Sequence, residues 1–539
     1  MRVLTSLLFA CALVSVPASA AFAGWTDTLF PSHDDDGSAS VQDIVPPADP
    51  ENSKDTREQQ VKRATRAFYE DHDFKLVWSG NDDADERAST VTHALEHADR
   101  QGLAGNDYMS ALKKWNDMPP TGHDAAEYDV ALTQALLRYA FDVRLGRTVP
   151  KDIYKDVELP PQDFDAAAAL STAIRRHEIV SFLADLPPPH PGYRWLVEAL
   201  ARYREIAEQG GWPTVPAGAA ITFAGKDGKL SSLAHRLALE DQALMDVQDP
   251  SDAALREGLL RFQRRNGLDD SGKLDPETLK ALNVPVSTRI GEILANMERW
   301  RWMPRGFEAH YILVNVPDQS LEFVEDQQAK LSSKVIIGRK NSPTPIMRAN
   351  VEAVIANPPW DIPDDIAAKK VLPHLRRDPN YLASRNMVVA GGGIQQNPGE
   401  DNVLGTVMLD SPNSFGVYMH DTPEKKLFLS NMREKSNGCI RVEQIKPLAS
   451  LALGTDNAED DLADAIATGE TQHLPLRYPL TVYVVYWTAF ADADGAMEFR
   501  PDRYDRDPRL VAKLSSAPRG RAKTSRISAA VSSSRHSDR

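Results

Sequence analysis

The sequence predicts an α+β chain of several domains. Apolar residues recur at helical spacing to about residue 302, the spacing changes to two from Tyr311 onward, and clusters of proline and glycine cut the helical half into units. At 539 residues with 42% hydrophobic content, the chain can build more than one core. A net charge of −15 excludes a dedicated nucleic-acid binder.

Residues 1–23 read as a cleaved export signal: Arg2, an apolar run from Val3 to Val16, then small-x-small cleavage sites at Ala18-Ser19-Ala20 and Ala21-Phe22-Ala23. The mature protein is therefore expected outside the cytoplasm. Lipid attachment at Cys11, after Leu8-Phe9-Ala10, is the second reading. Of the two cysteines, Cys11 and Cys439, only Cys439 survives cleavage, so no internal disulfide forms. A lone thiol in an oxidising compartment is commonly a buried small hydrophobe unless it is used.

Residues 24–56, acidic and rich in Ser and Pro, read as a flexible linker, and 57–249 as a helical scaffold divided at Pro119-Pro120, Pro187-Pro188-Pro189 and Gly210-Gly211. Residues 250–285 form a compact helical unit. In it Leu255, Leu259 and Phe262 share a face, Asn266-Gly267-Leu268 is a stop, and Asp275-Pro276 starts the next helix. A connecting helix spans 286–308. A β-rich domain follows over 309–507, with runs at 311–316, 321–324, 331–337 and 480–486. It is interrupted by a capping insertion at about 360–399 that carries Gly391-Gly392-Gly393, read as flexible. The basic segment 508–539 reads as a disordered tail, with adhesion to envelope polymers or lipid as the sharper alternative.

The residues with chemical promise lie at His420 and Ser436-Asn437-Gly438-Cys439-Ile440-Arg441. A thiol becomes a strong nucleophile when a nearby imidazole draws its proton away. Gly438 permits a tight backbone approach, and the amides of Gly438 and Cys439 are candidate oxyanion donors. In an extended segment Arg441 shares a side with Cys439, favouring thiolate or holding a substrate carboxylate. HExxH and CxxC are both absent, so the chemistry is expected to need no metal or organic cofactor.

The His420 and Ser-x-Gly-Cys-Ile-Arg arrangement resembles the L,D-transpeptidase catalytic domain. Leu-Leu-Arg-Phe-Gln-Arg-Arg-Asn-Gly-Leu at 259–268, followed by Gly-Lys-Leu-Asp-Pro-Glu-Thr-Leu-Lys-Ala-Leu-Asn, resembles the three-helix peptidoglycan-binding domain. The whole resembles the large Gram-negative periplasmic subgroup, supported by Phe68-Tyr69, Leu76-Val77-Trp78, Leu136-Leu137-Arg138-Tyr139, Gly211-Trp212-Pro213, the run 357–363, Pro398-Gly399, Asn402-x-Leu404-Gly405 and Pro412-Asn413.

The resemblance implies Cys439 as nucleophile on tetrapeptide stems, His420 as base and acid, and a backbone carbonyl near Ser436 or Asn437 orienting the imidazole. It further implies stem peptides and glycan strands as partners, possible envelope synthase partners, and carbapenem-type inhibitors. The products are 3→3 cross-links when a neighbouring diaminopimelate is the acceptor, a trimmed stem when water is, or a wall-attached protein when a protein amine is. Asn437 stands where many relatives have His. Tyr418 and Trp360 are candidates for the donor site or for ordinary core; Asn402 and Arg433 are further substrate-binding candidates.

Two rival readings fit the residues less well. A serine D,D-transpeptidase would use Ser110-x-x-Lys113 and Ser411-Pro412-Asn413, but no Lys-Thr-Gly follows and Ser110 lies in the helical scaffold. A non-catalytic peptidoglycan-binding scaffold would have no use for the complete His420, Ser436, Gly438, Cys439 and Arg441 set.

Overall fold

The structure, a computed structural model, describes residues 38–47, 56–115, 123–216, 228–245, 247, 250–492 and 494–516. The export signal, Cys11 and most of the basic tail lie outside the described residues.

Helix Arg57–Asp71 starts at a capping box in which Thr56 and Gln59 satisfy each other's free amides, and it buries Val61, Thr65, Phe68 and Tyr69. Against it packs His123–Leu145, which carries a fully buried carboxylate, Asp129. That carboxylate accepts the Val77 and Trp78 amides and the Tyr69 hydroxyl, while Trp78 Nε1 donates to Thr133 at 2.7 Å. The Phe68-Tyr69 and Leu76-Val77-Trp78 pairs thus meet around a single satisfied polar group. Helix Ser38–Ile44 joins the same core through Val41 and Val45, correcting the linker reading of 24–56 for this stretch. Ser110 sits at the end of the helix Asn106–Met109 within this scaffold.

The small unit is larger than 250–285. Helix Gly228–Ala238 contributes Leu233 and Leu237 to a core with Leu244, Leu259, Phe262 and Leu282, so residues assigned to the scaffold belong here. Asp275 caps Pro276–Leu282, and buried Gln263 bonds the Gly272 amide, the Lys273 carbonyl and the Thr278 hydroxyl. The Phe-Gln and Gly-Lys spacing is therefore a hydrogen-bonding requirement.

Helix Val286–Arg301 ties the parts together. Glu298 accepts the Thr148 amide and hydroxyl from the scaffold and pairs with Arg301, Arg299 pairs with Asp507, and Asn296 bonds Thr488. Trp300 stacks on Trp487 at 4.2 Å. Asp507–Ser515 is helical with Leu510 buried, so the tail reading of 508–539 does not hold for its first residues.

The strands are β1 Val157–Glu158, β2 His310–Asn315, β3 Ser320–Glu325, β4 Gln328–Gly338, β5 Ile346–Ala356, β6 Trp360–Ile362, β7 Met387–Ala390, β8 Gly393–Gln396, β9 Val407–Asp410, β10 Met419–His420, β11 Glu434–Ser436, β12 Ile440–Val442 and β13 Gln472–Val485. The main sheet runs β1-β5-β13-β2-β3-β4-β12-β10-β9, with β11 beside β4, and β9 also pairs with β5, closing the sheet on itself. Closure removes the free edges that β9 and β5 would otherwise present there. The scaffold supplies β1. β6, β8 and β7 form a separate sheet over a small core of Ile362, Ala367 and Val371. Gly391 and Gly392, at φ +59° and +85°, are the tight hairpin turn of β7 and β8.

Leu237→Ala is expected to destabilise the small unit by about 2–5 kcal/mol in chemical denaturation. An unchanged midpoint would place Gly228–Ala238 outside its core.

Candidate active site

Cys439 immediately precedes β12, whose Ile440 and Val442 are 1% and 0% exposed in the core. Alternation turns Cys439 and Arg441 to the opposite face. β10 lies parallel beside β12, with Met419 opposite Ile440, His420 opposite Arg441, and the Tyr418 carbonyl accepting the Ile440 amide at 2.9 Å. Met419 is also core, so Tyr418 and His420 share the face of Cys439 and Arg441. Cys439 is partly exposed and its thiol donates to the Gly416 carbonyl at 3.9 Å. No hydrogen bond joins sulfur to imidazole in this resting geometry; such bonds commonly tighten when substrate binds.

The turn before the cysteine is held from several sides. Gly438 has φ +121°, which an L side chain rarely adopts. Its carbonyl accepts the Thr344 hydroxyl at 2.8 Å, and the same hydroxyl accepts the Gly338 amide at 2.9 Å. Tyr504 donates to the Gly338 carbonyl at 2.6 Å. Ser436 Oγ donates to the Cys439 carbonyl at 2.6 Å and accepts the Gly438 amide at 3.1 Å.

Two expectations change as a result. The Gly438 amide is engaged by Ser436, so it is not a free oxyanion donor; the Cys439 amide stands beside the sulfur. Neither Ser436 nor exposed Asn437, which accepts from Arg339, orients the imidazole. That role falls to the Asp421 carbonyl, 2.6 Å from His420 Nδ1. A carbonyl only accepts, so Nδ1 carries the proton and Nε2 of the neutral ring is the free base.

Burial and the Arg441 charge lower the His420 pKa to about 4, against the carbonyls of Asp421 and Leu404 and the Asp421 charge. Burial pushes the Cys439 thiol up, opposed by the Tyr418 backbone and by Arg441. The resting pair near neutral pH is thus thiol and neutral imidazole. Arg441 bonds Thr422 at 3.3 Å and pairs with Glu424.

Other candidates lie elsewhere. Asn402, 1% exposed, donates to the carbonyls of Pro358, Gln396 and Asn397 and accepts the Leu404 amide. It fastens the base of the insertion and is buried away from solvent. Arg433 is likewise buried and donates to the Val335, Ser430 and Gln319 carbonyls. Trp360 packs against the insertion's own core. Tyr418 remains partly exposed beside Cys439. Asn413 staples its own turn through Ser411 and Val417. Nothing local in the sequence marks Thr344, Tyr504 or the Asp421 carboxylate, apart from Gly405, at φ +65° with no room for a Cβ against Asp421. Among the described residues no group of three or more His, Cys, Asp or Glu is placed to hold a metal, and no helix is long and apolar enough to cross a membrane.

Thr344→Val leaves the Gly338 amide and Gly438 carbonyl unpaired. The expected loss is about 1–3 kcal/mol of stability, read by thermal denaturation, with slower Cys439 alkylation in the folded variant.

A relative from Haemophilus influenzae named "Putative L,D-transpeptidase" is 29% identical over 305 residues, 50% of this chain and 62% of that protein. The chain thus spans about three fifths of the length of the curated relative it matches. Among solved structures, an L,D-transpeptidase from Xylanimonas cellulosilytica is 16% identical, with 46% of this chain and 92% of that one covered at a TM-score of 0.18. One from Stackebrandtia nassauensis is 13% identical, with 51% and 96% covered at 0.20. L,D-transpeptidase 3 from Mycobacterium tuberculosis, in complex with a faropenem-derived adduct, is 14% identical, with 32% and 60% covered at 0.18.

Family models match over three stretches: a scaffold domain at 63–200, a "Putative peptidoglycan binding domain" at 237–282, and the L,D-transpeptidase catalytic domain at 309–471. The chain thus carries an L,D-transpeptidase catalytic domain, with a peptidoglycan-binding domain and a scaffold domain ahead of it.

Proposed function

We propose that this chain is exported to the periplasm and there joins peptidoglycan stem peptides through an acyl group carried on Cys439, forming 3→3 cross-links. The observation that carries the reading is the register of β10 and β12. It sets a partly exposed thiol and an imidazole of fixed tautomer on one face of adjacent strands, with a cation beside both.

The thiol proton passes to Nε2 of His420 as sulfur attacks the carbonyl between the third and fourth residues of a tetrapeptide stem. The Cys439 amide faces the developing oxyanion. The C–N bond breaks, the imidazolium gives its proton to the departing D-amino acid, and a thioester remains. An acceptor amine of a neighbouring diaminopimelate then attacks, losing its proton to the imidazole; the C–S bond breaks and the thiolate is reprotonated. Arg441 stabilises negative charge at sulfur. The peptidoglycan-binding domain brings glycan strands to the catalytic domain, and the capping insertion shapes the donor groove.

Incubation with disaccharide-tetrapeptides should give cross-linked dimers by mass spectrometry, and Cys439→Ala none. Tripeptides alone would make the chain an L,D-carboxypeptidase, and a stem-modified protein would make it an attachment enzyme. Lack of any product would leave the non-catalytic scaffold. A carbapenem, as an acyl donor, should add its mass to the wild type; an adduct persisting in Cys439→Ala would contradict the nucleophile.

The folded imidazole stays neutral down to about pH 4, below its ordinary 6.5. Acylation kcat/KM should therefore hold its plateau as pH falls through 6.5 and decline only as His420 gains its proton near 4. A decline centred at 6.5 would show an unperturbed base.

A further inference from the structure

The Asp421 carboxylate is 5% exposed and has no part in the acyl transfer described above. Its backbone nevertheless holds the base, since the carbonyl of the same residue receives the Nδ1 proton of His420. The carboxylate is tied on every side. Oδ2 accepts the Thr406 amide and hydroxyl, both at 3.1 Å, and Oδ1 accepts the Thr422 amide at 2.8 Å and pairs with Lys425.

The partner segment is closed around it. Gly405 has φ +65°, and a Cβ there would stand 2.4 Å from the Asp421 Cβ, so the chain at 404–406 approaches as far as glycine allows. Asp421 also donates its amide to the Val407 carbonyl. The carbonyl of Leu404, at the start of that segment, raises the proton affinity of the imidazole. One carboxylate therefore ties the residue that carries the Nδ1 acceptor to the neighbouring 404–406 segment.

We propose that Asp421 is the positioning residue of His420, its carboxylate clamping the 404–406 segment and Lys425 so that Nδ1 keeps its proton and Nε2 stays turned toward Cys439. The proposal rests on the reading of His420 as the base. A neutral side chain of the same shape would meet the Thr406 and Thr422 donors with only one acceptor oxygen, and the clamp would loosen.

The charges around the ring set the signs. Arg441 faces it from β12 and is paired with Glu424; Asp421 carries negative charge beside it; Lys425 offsets that charge from the following turn; the Cys439 thiol shares the face. Removing the carboxylate charge lowers the proton affinity of His420, and removing the Lys425 cation raises it. A merely structural staple would give two variants with similar losses and no opposed shifts.

The test is nitrogen-15 NMR of the imidazoles in the full chain, with His420 assigned by its disappearance in His420→Gln, alongside pH profiles of carbapenem acylation. The wild type should show the Nδ1–H tautomer. Asp421→Asn should divide His420 between tautomers, move its titration midpoint down, and slow acylation about 10-fold to 100-fold with the acid limb shifted the same way. Lys425→Met should move the midpoint up. A folded Asp421→Asn with unchanged tautomer and midpoint overturns the proposal, as do two variants that shift together. If Asp421→Asn does not fold, Thr406→Val should produce the tautomer mixture, and its absence counts against the clamp. A wild type that is never acylated, yet shows the opposed NMR shifts, would defeat the enzyme reading and leave the clamp standing.

Discussion

The parallel pairing of β10 with β12 is the constraint on which the site depends. It sets Met419 against Ile440 in the core and so obliges His420, Arg441 and Cys439 to share the other face. A one-residue slip would turn the imidazole and the thiol into the apolar core and the core side chains to the other face, so the apolar residues enforce this register. Two short strands could not hold this alone. They are flanked by β9 and β4 within a sheet closed on itself, and the turn into β12 is fastened by Thr344 and Ser436 around Gly438, whose φ of +121° suits glycine.

That arrangement gives a reactive pair that is neutral at rest. Burial raises the thiol and lowers the imidazole, and Arg441 opposes the first shift while adding to the second. The site therefore keeps an unprotonated imidazole on the face of a partly exposed thiol. The remainder of the chain is built onto this centre. The scaffold contributes β1 to the catalytic sheet, Arg500 bonds the Arg265 carbonyl of the binding unit, and Glu298 and Arg301 join helix Val286–Arg301 to the scaffold through buried charge. Buried pairs of this kind are poor sources of net stability but costly to break singly, which suits a joint that must keep one geometry.

Much of this was legible in the sequence. Period-two alternation at Cys439-Ile440-Arg441 identified the face, and the helix signals at Asp275-Pro276 were read as the cap that the structure contains. What the sequence concealed were contacts between distant residues. Thr344 meets Gly438 across 94 positions and Tyr504 meets Gly338 across 166, so neither carries a local signal. Asn402 and Arg433 misled because a polar side chain that saturates backbone carbonyls looks, in one dimension, like one that waits for substrate. Helix Ser38–Ile44 was hidden by its acidic, proline-bordered surroundings, although Val41 and Val45 stand one helical turn apart. The resemblance places the orienting carbonyl near Ser436, whereas Asp421, the residue directly after His420, provides it.

The most direct measurement is a crystal structure of the thioester formed with a tetrapeptide stem in the absence of any acceptor amine. The account predicts acyl density on Sγ of Cys439, the thioester oxygen facing the Cys439 amide, and Nε2 of His420 within roughly 3.5 Å of the sulfur. Acyl density on another residue, or an imidazole whose Nε2 is turned away from the thioester, would contradict it.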